Sequence, residues 1–522
     1  MASFNVLTEP WIPVADKWGK IEELGILDIL ERAPDLTEIS EPSPLMRYGI
    51  YRILIAFLTD ALRPEIEEDL ADLMTDGQFP MERIRQYIKE SEKEGPCFDL
   101  FDEKKPFLQS TYNEVLDEPK KTSIAKLIHE LPSGNNAIHF EHLPQDEHAL
   151  SPAVCTKALC AVNVFCTSGL QGPSGINGAP PWYLIILGGN LFETLVYSLW
   201  VPANIEIPID KPDIAWRNNQ QVEPNTGVNV TSYLYGLTWQ SRRVCLIPNE
   251  NGGYCTFTGK KVDILVKEAY FQAGWKFEGY DNWKDPHVAY YYKDNKRGSL
   301  KPKEGRASWR YLGPIIFARN DAMASSVKDA QCPAIIEQYH SLIRQGLWKG
   351  EEFLRTEIFG VATNKASFEG WQHDRFNIDC RVVSDNRKVA WIQEALVMAE
   401  ETNKALRKSL HRLPPQHGKR KSNQKWFCDE LIEQAEIRFF TIIRQYFFEK
   451  LIPSVAETDV EQYHWREELN RFWTDILQKE ARRVFNEIVD GIGLGSKNLE
   501  RRAAAETSLF WSFHEQKGVS YE

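Results

Sequence analysis

The chain has 522 residues, a net charge of −12, an apolar fraction of 43% and nine cysteines. That length accommodates two to four domains, and 16 tryptophans and 26 phenylalanines supply sizeable cores. The acidic balance excludes a free-standing binder whose whole surface attracts nucleic acid, so any such contact must come from local basic runs or partner subunits. The cysteines include no Cys-x-x-Cys pair, which favours reduced thiols over a disulfide framework. No signal-like opening is present, and no apolar run approaches the ~20 residues that a membrane span needs. The expectation is a soluble, cytoplasmic protein without a membrane partner.

In chain order, Phe4–Val14 reads as a short strand interrupted by Pro10 and Pro13, and residues 21–30 as a strand followed by a helix. Pro44–Leu62 carries apolar residues at helical spacing and is expected to be a buried helix, with further helices over 66–74 and 81–91. His139, His142 and His148 lie near Glu141, Asp146 and Glu147, but their spacing fits no zinc pattern. A helix is expected over 151–165, a strand over 182–187 and a helix over 191–199. Between the first two lies Gly169-Leu-Gln-Gly172-Pro-Ser-Gly175-Ile-Asn-Gly178-Ala-Pro-Pro181. Glycine frees the backbone and proline stiffens it, so this is a shaped loop. No Gly-Lys-Ser/Thr follows, which excludes a P-loop, and there is no spaced Gly-x-Gly-x-x-Gly for a dinucleotide. A tight connection and a ligand-facing loop both remain open.

Cys245 and Cys255 make at most half a zinc ribbon, and no metal is expected. From Tyr290 to Arg310 the chain is basic, with Lys293, Lys296, Arg297, Lys301, Lys303, Arg306 and Arg310 interleaved with Trp309 and tyrosines. Such interleaving suits phosphates and bases; it equally suits a solvated hairpin. Gly360 to Gly370 reads as a second small-residue loop, followed by His373-Asp374, a pair found in metal phosphohydrolases. Beyond residue 385 the segments 386–410, 424–451, 460–489 and 499–513 are long and amphipathic, and suggest a four-helix bundle. Its first connection holds Lys404, Arg407, Lys408, Arg412, Lys419, Arg420, Lys421 and Lys425 with no acidic residue among them.

Taken in order, several stretches resemble one family. They are Asn5-Val-Leu-Thr-Glu-Pro-Trp-Ile-Pro-Val14, Asn136-Ala-Ile-His-Phe140-Glu-His142, the glycine run, Gly236-Leu-Thr-Trp239-Gln240, Asn364-Lys-Ala-Ser367 and the helical last third. The family is CasA, the large subunit of the type I-E CRISPR surveillance complex Cascade. The resemblance implies an α+β fold: a large mixed α/β N-terminal domain over 1–384, then an all-α four-helix bundle over 385–522. It implies no catalysis and no cofactor. It implies a subunit that reads the short motif beside the target, the PAM, from the minor groove of duplex DNA. Such a subunit helps open the duplex for guide-RNA pairing and supports recruitment of a helicase-nuclease. The implied partners are target double-stranded DNA, the guide RNA, and the backbone, small and guide-end-capping subunits.

By the same resemblance, Gly169, Leu170, Gln171 and Gly172 form the DNA-binding glycine loop, and Asn364 and Lys365 the wedge. Lys276 is the minor-groove lysine, with Lys284 as the alternative. Lys293, Lys296 and Arg297 line the path of opened DNA, and Phe140 anchors the subunit in the complex. Three features depart from the pattern: Leu170 and Gln171 separate the glycines, Lys365 stands where a glutamine is usual, and only Cys245 and Cys255 remain where some members carry a cysteine cluster suited to zinc. A His373-Asp374 phosphohydrolase and a purely structural scaffold are the competing readings.

Overall fold

The computed structural model describes residues 2–111, 121–131, 148–166, 174–201, 214–217, 225–230, 232–278, 283–294, 296–317, 330–364, 367–413, 422–491 and 496–517. The chain forms two compact units. The first comprises residues 1–304, 332–350 and 355–376; the second comprises 305–331, 351–354 and 377–522. The fold is mixed α/β with a helical C-terminal region.

The first unit is built around the helix Pro44–Leu62. Ser43 accepts a hydrogen bond from the Met46 amide at 3.3 Å, Pro44 occupies the first turn, and every residue but Arg47 is buried. This is the proline-in, oxygen-cap start that helices favour. The helix packs on Pro152–Val162, itself capped by Ser151. Around them lie small antiparallel sheets: Ile12–Asp16 between Ile21–Leu24 and Leu36–Ile39, and Leu265–Ala273 between Lys121–Ser123 and Arg242–Asn249.

The opening decapeptide is a turn rather than the expected strand from Phe4. The Asn5 side chain accepts from the Leu7 amide at 2.9 Å, and the Trp11 indole donates to the Val6 carbonyl at 2.8 Å. The strand begins only at Ile12. Pro10 and the buried Trp11 lie between this turn and the strand, whereas Pro13 stands within the strand, opposite Glu23.

A second expectation is corrected at Gly360. Residues 353–364 and 367–379 are two long paired strands, the first also pairing with Tyr183–Leu187 (Phe359 opposite Tyr183, Arg355 opposite Leu187). Gly360 therefore lies within a strand. A Cβ there would sit 2.7 Å from Pro302 Cγ and 2.9 Å from Trp182 Cε3, so the glycine admits a close-packed indole rather than a loop.

The second unit holds four long helices, Asn386–Leu410, Ser422–Tyr446, Trp465–Asp490 and Ser496–Lys517. Trp391 and Trp473 are buried, their indoles donating to Asn470 Oδ1 and the Ala395 carbonyl, each at 2.9 Å. A 3-10 turn, Ser308–Tyr311, presents Arg310 to this bundle. Its guanidinium meets both Glu400 oxygens at 2.8 Å, reaches Glu436 and lies 3.6 Å from the Phe440 ring centre. Arg306 also pairs with Glu400, at 2.9 Å. The basic run read from Tyr290 to Arg310 thus divides, because its last two arginines are neutralised within the second unit.

Candidate nucleic-acid interface

Tyr290–Lys293 and Lys296–Ser299 form an antiparallel hairpin, with Tyr290 opposite Ser299 and Lys293 opposite Lys296. Asp294 takes a left-handed conformation at the turn. Strand alternation divides the side chains between two faces. On the inner face Tyr290 is buried, and Arg297 donates to the Trp283 carbonyl at 2.8 Å with its guanidinium 5.0 Å from the Tyr290 ring centre. On the outer face Lys293 and Lys296 are exposed. Of the three basic residues expected along a DNA path, the hairpin presents the two lysines together, while Arg297 is turned toward the protein.

Behind the hairpin lies a buried polar cluster that holds the end of the glycine-rich segment. Gly175 and Gly178 bridge one another, with Asn177 between them. Asn177 Nδ2 donates to Asp285 Oδ2 at 3.1 Å and to the Tyr183 hydroxyl at 3.3 Å. Its Oδ1 accepts from the Tyr290 hydroxyl at 3.0 Å, and its carbonyl from Ser299 Oγ at 3.2 Å. The Tyr183 hydroxyl donates in turn to the Val164 carbonyl at 3.3 Å, on the chain leading into the glycine run.

Asp285 also accepts from Arg52 Nη1 at 2.7 Å, and Arg52 Nε donates to the Leu237 carbonyl at 2.8 Å. Burial alone would lower the Arg52 pKa, but Asp285 beside it holds it above the ordinary value, so the guanidinium keeps its charge. Burial pushes the Tyr183 and Tyr290 phenols up and keeps them neutral donors. Burial lowers the His287 pKa, so its neutral ring donates Nδ1–H to the Leu184 carbonyl at 2.8 Å. Sequence reasoning passed over Asn177, Asp285 and Arg52. The available signal was a lone arginine inside the apolar stretch Tyr48–Leu58, where a charge demands a buried partner.

Lys276 opens the short strand Lys276–Glu278, which runs parallel to Gly227–Asn229. Its side chain is 60% exposed, with Nζ 3.7 Å from Glu278. Phe277 points the other way, onto Trp239. The alternative, Lys284, lies over the Tyr292 ring at 5.5 Å. Asn364 ends its strand. Gly169, Leu170, Gln171, Gly172, Lys365 and Phe140 lie outside the described residues, as do His139 and His142.

His373 stands in an ion-pair cluster. Its Nε2 is 2.6 Å from Glu357 Oε1, which also meets Arg47 at 2.9 Å and Arg375 at 3.1 Å. Burial alone would raise the Glu357 pKa; the bond from His373 and the two guanidiniums bring it below the usual range. Glu357 thus ties the long strand pair to the helix Pro44–Leu62. Cys255 accepts from the Ser151 amide at 3.3 Å, and Cys245 lies opposite Tyr270 in a sheet. Among the described residues no three His, Cys, Asp or Glu side chains are grouped to hold a metal ion, and no helix is long and apolar enough to cross a membrane. In the basic connection Lys404 pairs with Glu401 and Arg407 with Glu436.

The family model of the CRISPR-associated protein Cse1 matches residues 5–484. The chain belongs to the Cse1 family. CasA/Cse1 of Thermus thermophilus is 28% identical over 423 residues, covering 78% of this chain and 77% of the relative. The crystal structure of the Thermus CasA has a TM-score of 0.74 at 22% identity, covering 98% of this chain and all of that one. The Cse1 structure from Thermobifida fusca gives 0.74 at 19% identity, covering 98% of each chain. A chain of a CRISPR RNA-guided surveillance complex gives 0.72 at 17% identity, covering 98% of this chain and all of that one. Cse1 membership accounts for the ordered motifs, and these likenesses support the α+β fold with its helical C-terminal region.

Proposed function

We propose that this chain is the large, non-catalytic subunit of a CRISPR RNA-guided surveillance complex. In this reading it recognises the PAM of target duplex DNA from the minor groove, opens the adjoining base pairs for guide-RNA pairing and supports recruitment of a helicase-nuclease. The observation that carries the reading is the Cse1 family match over nearly the whole chain. The net charge of −12 fits a subunit that meets DNA inside an assembly. Exposed Lys276, Lys293 and Lys296 supply local positive charge.

The division of labour follows from groove chemistry. The minor groove offers a degenerate code, so a reader there tolerates related motifs. Unstacking the first step costs a few kcal/mol, which a wedge at Asn364 and Lys365 together with backbone contacts from Gly169–Gly172 offsets. The guide then reads the sequence by pairing, as in other RNA-guided effectors. Phe140 is assigned to anchoring within the complex, beside the backbone, small and guide-end-capping subunits. The domains follow as a PAM-recognition body over 1–384 and a bundle over 385–522.

A gel shift with a reconstituted guide-RNA complex, with and without this chain, tests the reading. The probes are target duplexes bearing a trinucleotide flank library or a scrambled flank, at two salt concentrations. Flank-dependent binding conferred by the chain is expected. Assembly without flank dependence would leave only a scaffold.

A further inference from the structure

The strand pair 353–379 is gripped near its root by one buried carboxylate. Its first strand pairs with Tyr183–Leu187 over residues 355–359, and its second strand lies at the edge of that sheet. Glu357 Oε1 accepts from His373 Nε2–H at 2.6 Å and from Arg47 Nη1 at 2.9 Å, and meets Arg375 Nη2 at 3.1 Å. Oε2 is buried with no hydrogen-bond partner among the described residues, so these contacts all pass through one oxygen. His373 and Arg375 stand on the edge strand and Arg47 on the helix Pro44–Leu62. Arg47 is fixed in turn: its Nε donates to the Glu41 carbonyl at 2.9 Å, and the Glu41 carboxylate meets buried Lys157 at 2.7 Å. Arg375 also reaches Glu38, in the strand Leu36–Ile39. The His373 ring lies 5.2 Å from the Phe359 ring, itself 5.4 Å from Tyr48. Main-chain pairing ties the edge strand to its neighbour; these side chains tie it to a helix and to a second sheet.

We propose that Glu357, with His373 and Arg375, is a positioning clamp for duplex opening: it fixes the angle at which Asn364 and Lys365 meet the first base pair. The inference rests on the reading of those two residues as the wedge. No group of the clamp touches DNA; its effect passes along the strand. Asn364 lies about 24 Å of extended strand beyond Glu357, so a tilt of about 10° at the root moves that end by about 4 Å. A wedge must bear the few kcal/mol that unstacking costs. On a loose root it recoils from that load and spreads over many poses, whereas a clamped wedge meets the base step already in place. Ion pairs shielded from solvent are little weakened by salt, so the grip holds at physiological ionic strength.

The test uses assembled guide-RNA complexes carrying the wild-type chain, His373→Ala, His373→Gln, Glu38→Gln or Asn364→Ala. Each meets a linear target with an intact duplex, and the same target with its first guide-matched pairs mismatched so that no wedge is needed. 2-Aminopurine beside the flank reports the opening rate. On the intact duplex His373→Ala is expected to open about tenfold more slowly, the scale of a small misplacement of a working group. On the pre-opened target it keeps the wild-type rate. His373→Gln retains an N–H donor for Glu357 and restores most of the rate. Glu38→Gln frees Arg375 from the sheet at a partly exposed position and slows the intact duplex alone; it carries the test if His373→Ala does not fold. Wild-type opening of the intact duplex by folded His373→Ala and Glu38→Gln overturns the proposal. Equal slowing on both targets overturns it too, since the cluster would then serve only fold or assembly. Slow opening by Asn364→Ala beside fast opening by His373→Ala rejects the clamp and keeps the wedge. Wild-type opening by Asn364→Ala rejects the wedge reading, and the clamp falls with it.

Discussion

Asn177 illustrates how much one amide can hold. It joins the exit of the glycine-rich segment to Asp285, to Tyr183 and to the basic hairpin through Tyr290 and Ser299. Asn177→Ala leaves the Tyr290 hydroxyl without its acceptor and is expected to destabilise the first unit by about 1–3 kcal/mol. Asn177→Asp is expected to be worse at neutral pH, because a second carboxylate would face Asp285 inside a buried cluster. Denaturant unfolding of the two variants checks this; an Asn177→Asp chain as stable as the wild type would remove the cluster from the account. His287 supplies a pH signature. Its folded pKa is depressed below the unfolded value of about 6.5, so neutral His287 contributes stability above that pH. That contribution is lost as pH falls from about 6.5 through the lowered value. His129 shifts in the same direction, by burial. Glu357 is also depressed, so its contribution is fully present above about pH 4.3 and is lost only below it, outside this window. Unfolding midpoints measured from pH 7 to 5 should therefore decline, and His287→Asn, which retains a donor near the Nδ1 position, should flatten that decline.

At the scale of elements, legibility followed local punctuation. Pro44–Leu62, Met81–Ser91 and Asn386–Leu410 begin and end where the sequence reading puts them. Ser43 with Pro44, Pro80 and Asp385 mark their starts from within a few residues of chain. The long strand pair 353–379 was not legible, because Gly360 and Gly370 read as loop residues when viewed alone. What keeps Gly360 in a strand is Trp182, far away in sequence. Gly360→Val would ordinarily improve strand propensity. Here it should cost about 1–3 kcal/mol by overpacking against Trp182 and Pro302, and a gain in the thermal midpoint would contradict that packing. The candidate site divided in the same way. Lys293 and Lys296 were visible as a basic run, whereas the inward turn of Arg297 depends on strand register. The roles given to the glycine run, Lys365 and Phe140 rest on the order of family motifs alone, and Gly169–Gly172, Lys365 and Phe140 lie outside the described residues.

For the whole molecule, the helix Pro44–Leu62 sets a timetable for synthesis. It is buried on all sides and has no polar face with which to wait in water. Its two arginines find carboxylates far down the chain: Arg52 meets Asp285 and Arg47 meets Glu357. At roughly 5–20 residues per second, a ribosome needs about 15–60 s to travel from the end of this helix to Glu357. Throughout that interval a segment rich in Tyr, Ile, Leu and Phe has left the exit tunnel without its covering strands. Truncations ending at residue 350 should consequently accumulate in the insoluble fraction, while chains extended through residue 379 should show a sharp rise in soluble yield. The burial that makes this helix the centre of the finished unit makes it the most exposed liability of the nascent one, and slower or colder expression with holdase chaperones should raise recovery of the intact chain.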